Sequence, residues 1–289
     1  MSAFQCITLP QFTHFFAKNH YLCTLGTKIP YMSATVKLNS KIIGEGDPII
    51  ILHGLFGMLD NWATIAKKLA DSGYMCIMLD QRDHGRSPHT AAFDYDLLAD
   101  DLAAFMDDNW IFRAHLMGHS MGGKTAINFA AKHPDKLEKL IIVDMGIKTY
   151  QDGHSDIFRA LMDIDVTNVE NRSEVEKILS KNINEESTVQ FLMKSLSRSK
   201  KGGYEWKMNL PLLWSSYANI LEQITISEPI DVPTCFIRGE RSMYVLNSDI
   251  AELKSHFLNF ELKTIKNAGH WIHAERPNEL LSEILHFLK

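Results

Sequence analysis

Five residues, Gly118-His119-Ser120-Met121-Gly122, constrain this chain more than any other stretch. They follow Ala114-His115-Leu116-Met117, which reads as a short buried strand. They precede Gly123-Lys124-Thr125-Ala126-Ile127-Asn128-Phe129-Ala130-Ala131, which reads as a helix. A strand, a sharp turn and a helix around a Gly-x-Ser-x-Gly core is the setting of a nucleophile elbow. The turn strains the serine backbone, so the residues two positions away on either side must be nearly free of side chain. Gly118 and Gly122 meet that demand. The Ser120 hydroxyl then stands over a helix N-terminus, whose partial positive charge and free N–H groups suit a developing oxyanion. The pattern is short, and a Gly-rich turn without chemistry would also match it, so the rest of the chain has to decide.

The surrounding pattern is that of a parallel α/β sheet. Pro48–Leu52, Tyr74–Leu79, Leu140–Val143 and Val232–Ile237 are largely apolar runs of strand length, as expected for strands covered on both faces, and Phe260–Ile265 reads as a further strand. Between them lie amphipathic helical stretches: Asp60–Ala70, Tyr95–Asp107, the elbow helix as far as His133 with Pro134 as its stop, Ser248–Phe257, and a last helix from Pro277. Thr35–Ile43 reads as a short antiparallel hairpin. The alternation breaks over residues 146–228, where helical segments are expected at Ser155–Met162, Ser173–Asn182, Glu186–Ser197 and Leu212–Gln223, with a short extended piece at Tyr204–Met208. The expected organisation is therefore a mainly parallel, doubly wound sheet in residues 34–145 and 229–289, interrupted by a helical cap at 146–228. Residues 1–33 show no clean period and read as an N-terminal extension.

Polar groups end three of these strands: Ser120, Asp144 and, in the loop after the last strand, His270. Strand ends of an open parallel sheet converge on one edge, where ligands bind. The chain order Ser…Asp…His is one of the orders in which a nucleophile, an acid and a base form a triad. Ser120 would attack, His270 would carry the proton, and an acid would hold the imidazole in the right tautomer. The acid has two candidates. The turn after the strand that follows the insertion, Gly239-Glu240-Arg241-Ser242, carries a serine where an aspartate is expected, which leaves Glu240 beside it. Asp144 ends the preceding strand and is favoured. An oxyanion hole needs two backbone donors: Met121, after the nucleophile, and one from His53-Gly54-Leu55-Phe56-Gly57. Leu55 is the first candidate there and Phe56 the second. The turn Asp80-Gln81-Arg82-Asp83-His84-Gly85-Arg86-Ser87 is better read as an ion-paired brace than as a metal site, since no second ligand cluster accompanies it.

Composition removes other classes. A net charge of −5 offers no surface for phosphates, so nucleic acid is not expected as a partner. No phosphate loop or dinucleotide glycine signature is present, and no cofactor or metal is expected. The four cysteines, Cys6, Cys23, Cys76 and Cys235, form no Cys-x-x-Cys pair. With no apolar run long enough for a membrane span, they point to reduced thiols and a cytoplasmic location.

Taken together, Leu52-His53-Gly54-Leu55-Phe56-Gly57, Asp80–Ser87, Gly118–Gly123 and Ala268-Gly269-His270-Trp271 resemble the α/β-hydrolase superfamily from about residue 34 onward. Leu59-Asp60-Asn61, Gln190–Leu196, Trp206–Leu210 and His270–Pro277 make the chain most similar to small bacterial acyl esterases of the YbfF type. The resemblance implies hydrolysis of short- to medium-chain carboxylic esters, with the acid drawn from Asp144 and a helical cap over the site. Candidate substrate contacts are Phe56, His119, Trp206, Tyr217 and Trp271, and further cap liners are Phe158, Leu161, Leu192, Leu213 and Trp214. An acyl-CoA thioesterase is the alternative, with Lys194, Arg198, Lys200 and Lys201 near the cap to meet phosphates. A ligand-binding receptor on the same scaffold is a third reading.

Overall fold

The computed structural model describes residues 35–289. The expected extension over residues 1–33, and Cys6 and Cys23 with it, lie outside the described residues. The described chain runs through β1 (Ser40–Ile43), β2 (Asp47–Leu52), α1 (Ala63–Ala70), β3 (Tyr74–Leu79), α2 (Tyr95–Asp108), β4 (Ala114–His119), α3 (Met121–Lys132) and β5 (Leu137–Val143). The segment after β5 holds α4 (Ser155–Met162), α5 (Arg172–Asn182), α6 (Glu186–Met193), β6 (Leu196–Arg198), β7 (Tyr204–Trp206), α7 (Leu210–Ser215) and α8 (Tyr217–Leu221). β8 (Thr234–Gly239), α9 (Ile250–His256), β9 (Phe260–Ile265), α10 (Ile272–Glu275) and α11 (Pro277–Leu288) complete it.

Among the described residues, seven strands form one sheet in the order β1-β3-β2-β4-β5-β8-β9. Every pair is parallel except β1 with β3. Thr35–Ile43 is therefore not a hairpin: β1 crosses the sheet edge antiparallel to β3, with Ser40 opposite Leu79 and Ile43 opposite Cys76. Alternation along β2 shows why the parallel strands read as continuous apolar runs. Ile50 and Leu52 enter one core with α2 and α3, while Ile49 and Ile51 enter the other with α1 and α11. Cys76 and Cys235 are buried free thiols on the second of these faces. The order of strand addition reverses at β2, with β3 on one side of it and β4 on the other, and at such a switch point the loops after two adjacent strands open a crevice.

The segment between β5 and β8 follows the expected helices closely at α4 and α5. The expected helix Glu186–Ser197 stops at Met193, because Leu196–Arg198 pairs as a strand with Tyr204–Trp206. The expected helix Leu212–Gln223 is two short ones meeting at Ser216. This segment shares its core with the sheet: one apolar cluster runs from Ile50, Leu52 and Leu116 through Met145 and Phe158 to Leu192 and Leu213.

The polar turn after β3 ties these parts together. Asp80 accepts from the Leu59 amide at 2.8 Å, the Arg86 amide at 2.8 Å and the Asn39 side chain at 2.7 Å. Arg82 forms a two-pronged pair with Asp101 of α2, at 2.6 and 2.8 Å, with both side chains at most 3% exposed. Asp83 accepts from Thr90, and from Asn209 at 2.9 Å across to the inserted segment. The ion-paired brace read from the sequence is the arrangement found. Among the described residues no helix is long and apolar enough to cross a membrane.

Candidate active site

β4 ends at the elbow, where Ser120 takes φ 53°, ψ −123° before α3 begins at Met121. The flanking glycines are a steric requirement here. A Cβ on Gly118 would lie 2.1 Å from the Gly122 carbonyl oxygen, and one on Gly122 would lie 2.6 Å from the Leu52 and His53 carbonyl oxygens. Phe56 (φ 63°) and Asp144 (φ 50°) share the left-handed backbone. Such conformations cost about 1–3 kcal/mol each for residues other than glycine, and three of them meet at this crevice.

Side chains from three strand ends converge. The Ser120 hydroxyl lies 2.9 Å from His270 Nε2, and His270 Nδ1 lies 2.7 Å from Asp144 Oδ2. Asp144, fully buried, also accepts from the Gly239 amide at 3.1 Å through Oδ1 and from the Ser242 hydroxyl through Oδ2. Burial holds the His270 imidazole well below its usual range, so the ring rests neutral. The same burial pushes the Asp144 carboxyl up, against the Ser242 and Gly239 donors, which favour its ionised form. The ring of Tyr244 stacks on His270 with centroids 3.8 Å apart and planes 14° apart. Glu240 is exposed and accepts from the Asn267 amide at 2.9 Å, so of the two acid candidates only Asp144 meets the histidine.

The loop after β2 comes within reach of the serine: a Cβ on Gly54 would lie 3.1 Å from Ser120 Cβ. Gly57 N–H closes a four-residue turn onto the Gly54 carbonyl at 3.0 Å, with Phe56 at the position where a left-handed φ is needed. That turn leaves the amides of Leu55 and Phe56 outside its own hydrogen bond. Below it, His53 donates from Nδ1 to the Gly54 carbonyl at 2.8 Å and accepts the Gln81 amide at Nε2 at 3.1 Å. Burial pushes this imidazole down to about 4, consistent with one donor and one acceptor nitrogen.

Two cavities meet at Ser120. The larger, about 560 Å³, is lined by Leu55, Met121, Met145, Tyr150, Ile220 and Leu221 among others. The smaller, about 200 Å³, is lined by Phe56, Ile157, Thr188, Phe191, His270 and Trp271 among others. Of the expected substrate contacts, Phe56 and Trp271 line the smaller cavity. His119, Trp206 and Tyr217 do not. His119 is buried under the site and donates from Nε2 to the His270 carbonyl at 3.0 Å, so it ties down the loop that carries His270. The Tyr217 hydroxyl is taken by the Gly153 and His154 amides at 3.2 and 3.0 Å. Trp206 lies in β7, and neither cavity reaches it. Of the further liners, Leu192 borders the smaller cavity, while Phe158, Leu161 and Leu213 are core and Trp214 is partly exposed beside Phe158. Lys194, Arg198, Lys200 and Lys201 border neither cavity.

Tyr244, Tyr150 and His154 were not singled out from the sequence, and Ser242 was named without a role. Ser242 had a signal, since it stands where an aspartate was expected and donates to the aspartate that replaces it. The other three had none.

With this geometry in hand, comparison with known proteins gives the class. Residues 47–277 match the family model described as alpha/beta hydrolase fold, and the chain belongs to that family. Esterase YbfF of Escherichia coli is 35% identical over 245 residues, covering 84% of this chain and 94% of that one. An sn-1-specific diacylglycerol lipase, ABHD11 of Danio rerio, is 32% identical over 254 residues, covering 85% and 80%. Among solved structures a marine microorganism esterase superposes with a TM-score of 0.86 at 39% identity, covering 88% of this chain and all of that one. Family and relatives together place the chain among the carboxylesterase-type hydrolases.

Proposed function

We propose that the chain is a serine hydrolase that cleaves short- to medium-chain carboxylic esters through an acyl-enzyme on Ser120. The observation that carries this reading is His270 standing between Ser120 at 2.9 Å and Asp144 at 2.7 Å. His270 Nε2 takes the Ser120 proton as the oxygen attacks the ester carbonyl. Asp144 holds the proton on Nδ1 and stabilises the imidazolium that forms. The tetrahedral oxyanion is received by the amides of Leu55 and Met121, each worth about 10²–10³ in rate. The imidazolium then protonates the departing alkoxide, and water attacks the acyl-enzyme with His270 again as base.

The two cavities divide the substrate. His270 lines only the smaller one, and the leaving group must lie within reach of its proton. The acyl chain is therefore assigned to the larger, which Leu55 and Met121 also line. The segment over residues 146–228 acts as a cap that walls both.

Hydrolysis of a p-nitrophenyl ester series from acetate upward tests the reading. Ser120→Ala is expected to lower kcat by at least about 10⁴-fold. A folded parent that turns over no ester, or a Ser120→Ala variant as active as the parent, would overturn it.

A further inference from the structure

The larger cavity ends at a thin wall. Tyr95 and Thr149 line it, and both also line a separate cleft of about 840 Å³ on the other side. The end of α8 divides the two spaces in the same way: Ile220 and Leu221 face the cavity, and Asn219 and Glu222 face the cleft. Two buried donors pin this wall. The Tyr95 hydroxyl donates to the Ile220 carbonyl at 2.9 Å. The ammonium of Lys124, on the elbow helix and fully buried, donates to the Leu221 carbonyl at 3.1 Å and to the Glu222 carbonyl. It lies 5.6 Å from the ring centre of Tyr95 and 4.9 Å from that of Tyr150. A buried ammonium is costly unless paired, and this one spends its donors on the backbone of the wall.

We propose that Tyr95, backed by Thr149 and the pinned end of α8, is the stop that sets the longest acyl chain accepted, closing the apolar cavity off from an outer cleft lined by Asp94, Asp96, Lys132 and Glu222. The proposal rests on the ester-hydrolase reading above. A chain growing along the larger cavity gains about fourfold in kcat/KM per buried methylene until it meets the Tyr95 ring. Past that point, further methylenes add nothing.

The test is the p-nitrophenyl series extended to long chains, with the full-length parent, Tyr95→Ala, Tyr95→Phe and Thr149→Gly. The readout is the ratio of kcat/KM for long over short esters. Tyr95→Ala is expected to move the longest well-accepted chain outward by several carbons and raise the ratio at least tenfold, and Thr149→Gly to move it the same way by less. Tyr95→Phe keeps the ring and is expected to keep the parent's limit. If Tyr95→Ala gives no cooperative melt, Thr149→Gly decides alone, because Thr149 is exposed. Folded variants whose ratios match the parent's would overturn the proposal. If the parent cleaves no ester, the hydrolase reading fails separately, and calorimetric binding of free fatty acids of graded length reads the wall instead. Tighter binding of the longer acids by Tyr95→Ala than by the parent would support the stop, and equal binding would refute it.

Discussion

Asparagine at position 144 would keep the shape of the site and reverse one hydrogen bond. In the native arrangement Asp144 accepts three donors: the Gly239 amide, the Ser242 hydroxyl and His270 Nδ1–H. An amide there has one acceptor and one donor end. The Gly239 N–H is fixed backbone and can only donate, so it claims the amide oxygen. The NH₂ end then faces Ser242, whose hydroxyl can turn to accept, and His270 Nδ1. A donor facing Nδ1 forces the imidazole proton onto Nε2. Ser120 now meets an N–H where it needs a lone pair, and no general base remains. The same exchange in a serine protease triad costs about 10⁴ in kcat, or about 5.4 kcal/mol of barrier. Asp144→Asn is expected to lose that much on a p-nitrophenyl ester while melting cooperatively near the parent. Glu240→Gln, which needs only an acceptor for Asn267, is expected to stay within about twofold of the parent. An Asp144→Asn variant with a tenth of the parent rate, or a Glu240→Gln loss of comparable size, would refute the reasoning.

Two further outcomes follow from packing and burial. Gly122→Ala would drive a Cβ to 2.6 Å from two carbonyl oxygens of the β2 end; backbone cannot yield there, so a thermal melt should show at least the ~1–3 kcal/mol of an overpacked core. The imidazoles of His53, His84 and His119 are pushed down by burial, the first two to about 4 and about 3. In the unfolded chain they titrate near 6.5, so below that pH the unfolded state binds protons the folded state refuses. Their contribution is intact above pH 6.5 and falls away below it, by about 1.4 kcal/mol each for His53 and His84 at pH 5.5. Denaturant unfolding should therefore show stability dropping by about 2.7 kcal/mol for His53 and His84 between pH 7.5 and 5.5, with His119 acting in the same direction, and a flat profile would contradict their burial as neutral rings.

The parallel strands and the elbow were legible because a strand buried on both faces is an unbroken apolar run and a strained turn needs glycine at fixed offsets. The pairing of β1 was not, since Ser40–Ile43 carries no record of which distant strand it will meet. The end of α6 was missed for a related reason: Leu196 suits a helix face as well as a strand, and only Trp206 across the gap decides between them. That Ser120, Asp144 and His270 would come together was readable from their places at strand ends. His119, Trp206 and Tyr217 show the limit of that reading, because residue type says nothing of which way a ring points. His119 lies next to Ser120 in sequence and turns beneath it in space, while Tyr244 is stacked on His270 with no motif to mark it.

The apolar cluster that runs without a break from the sheet into the segment over residues 146–228 bears on how this protein could be altered. A roof that owned its core could be exchanged as a cassette between relatives, carrying a new acyl preference with it. Here Phe158, Leu192 and Leu213 belong to the same packed cluster as Ile50 and Leu116. Asn209, Ile220 and Leu221 are moreover bonded to Asp83, Tyr95 and Lys124 of the sheet's own loops and helices. Transplanting the segment would transplant half of a jigsaw. Local loosening sufficient to free it would also free one face of the sheet, so roof and floor should melt as one cooperative unit. Changes of specificity in such a molecule are more accessible one wall residue at a time than by swapping the roof.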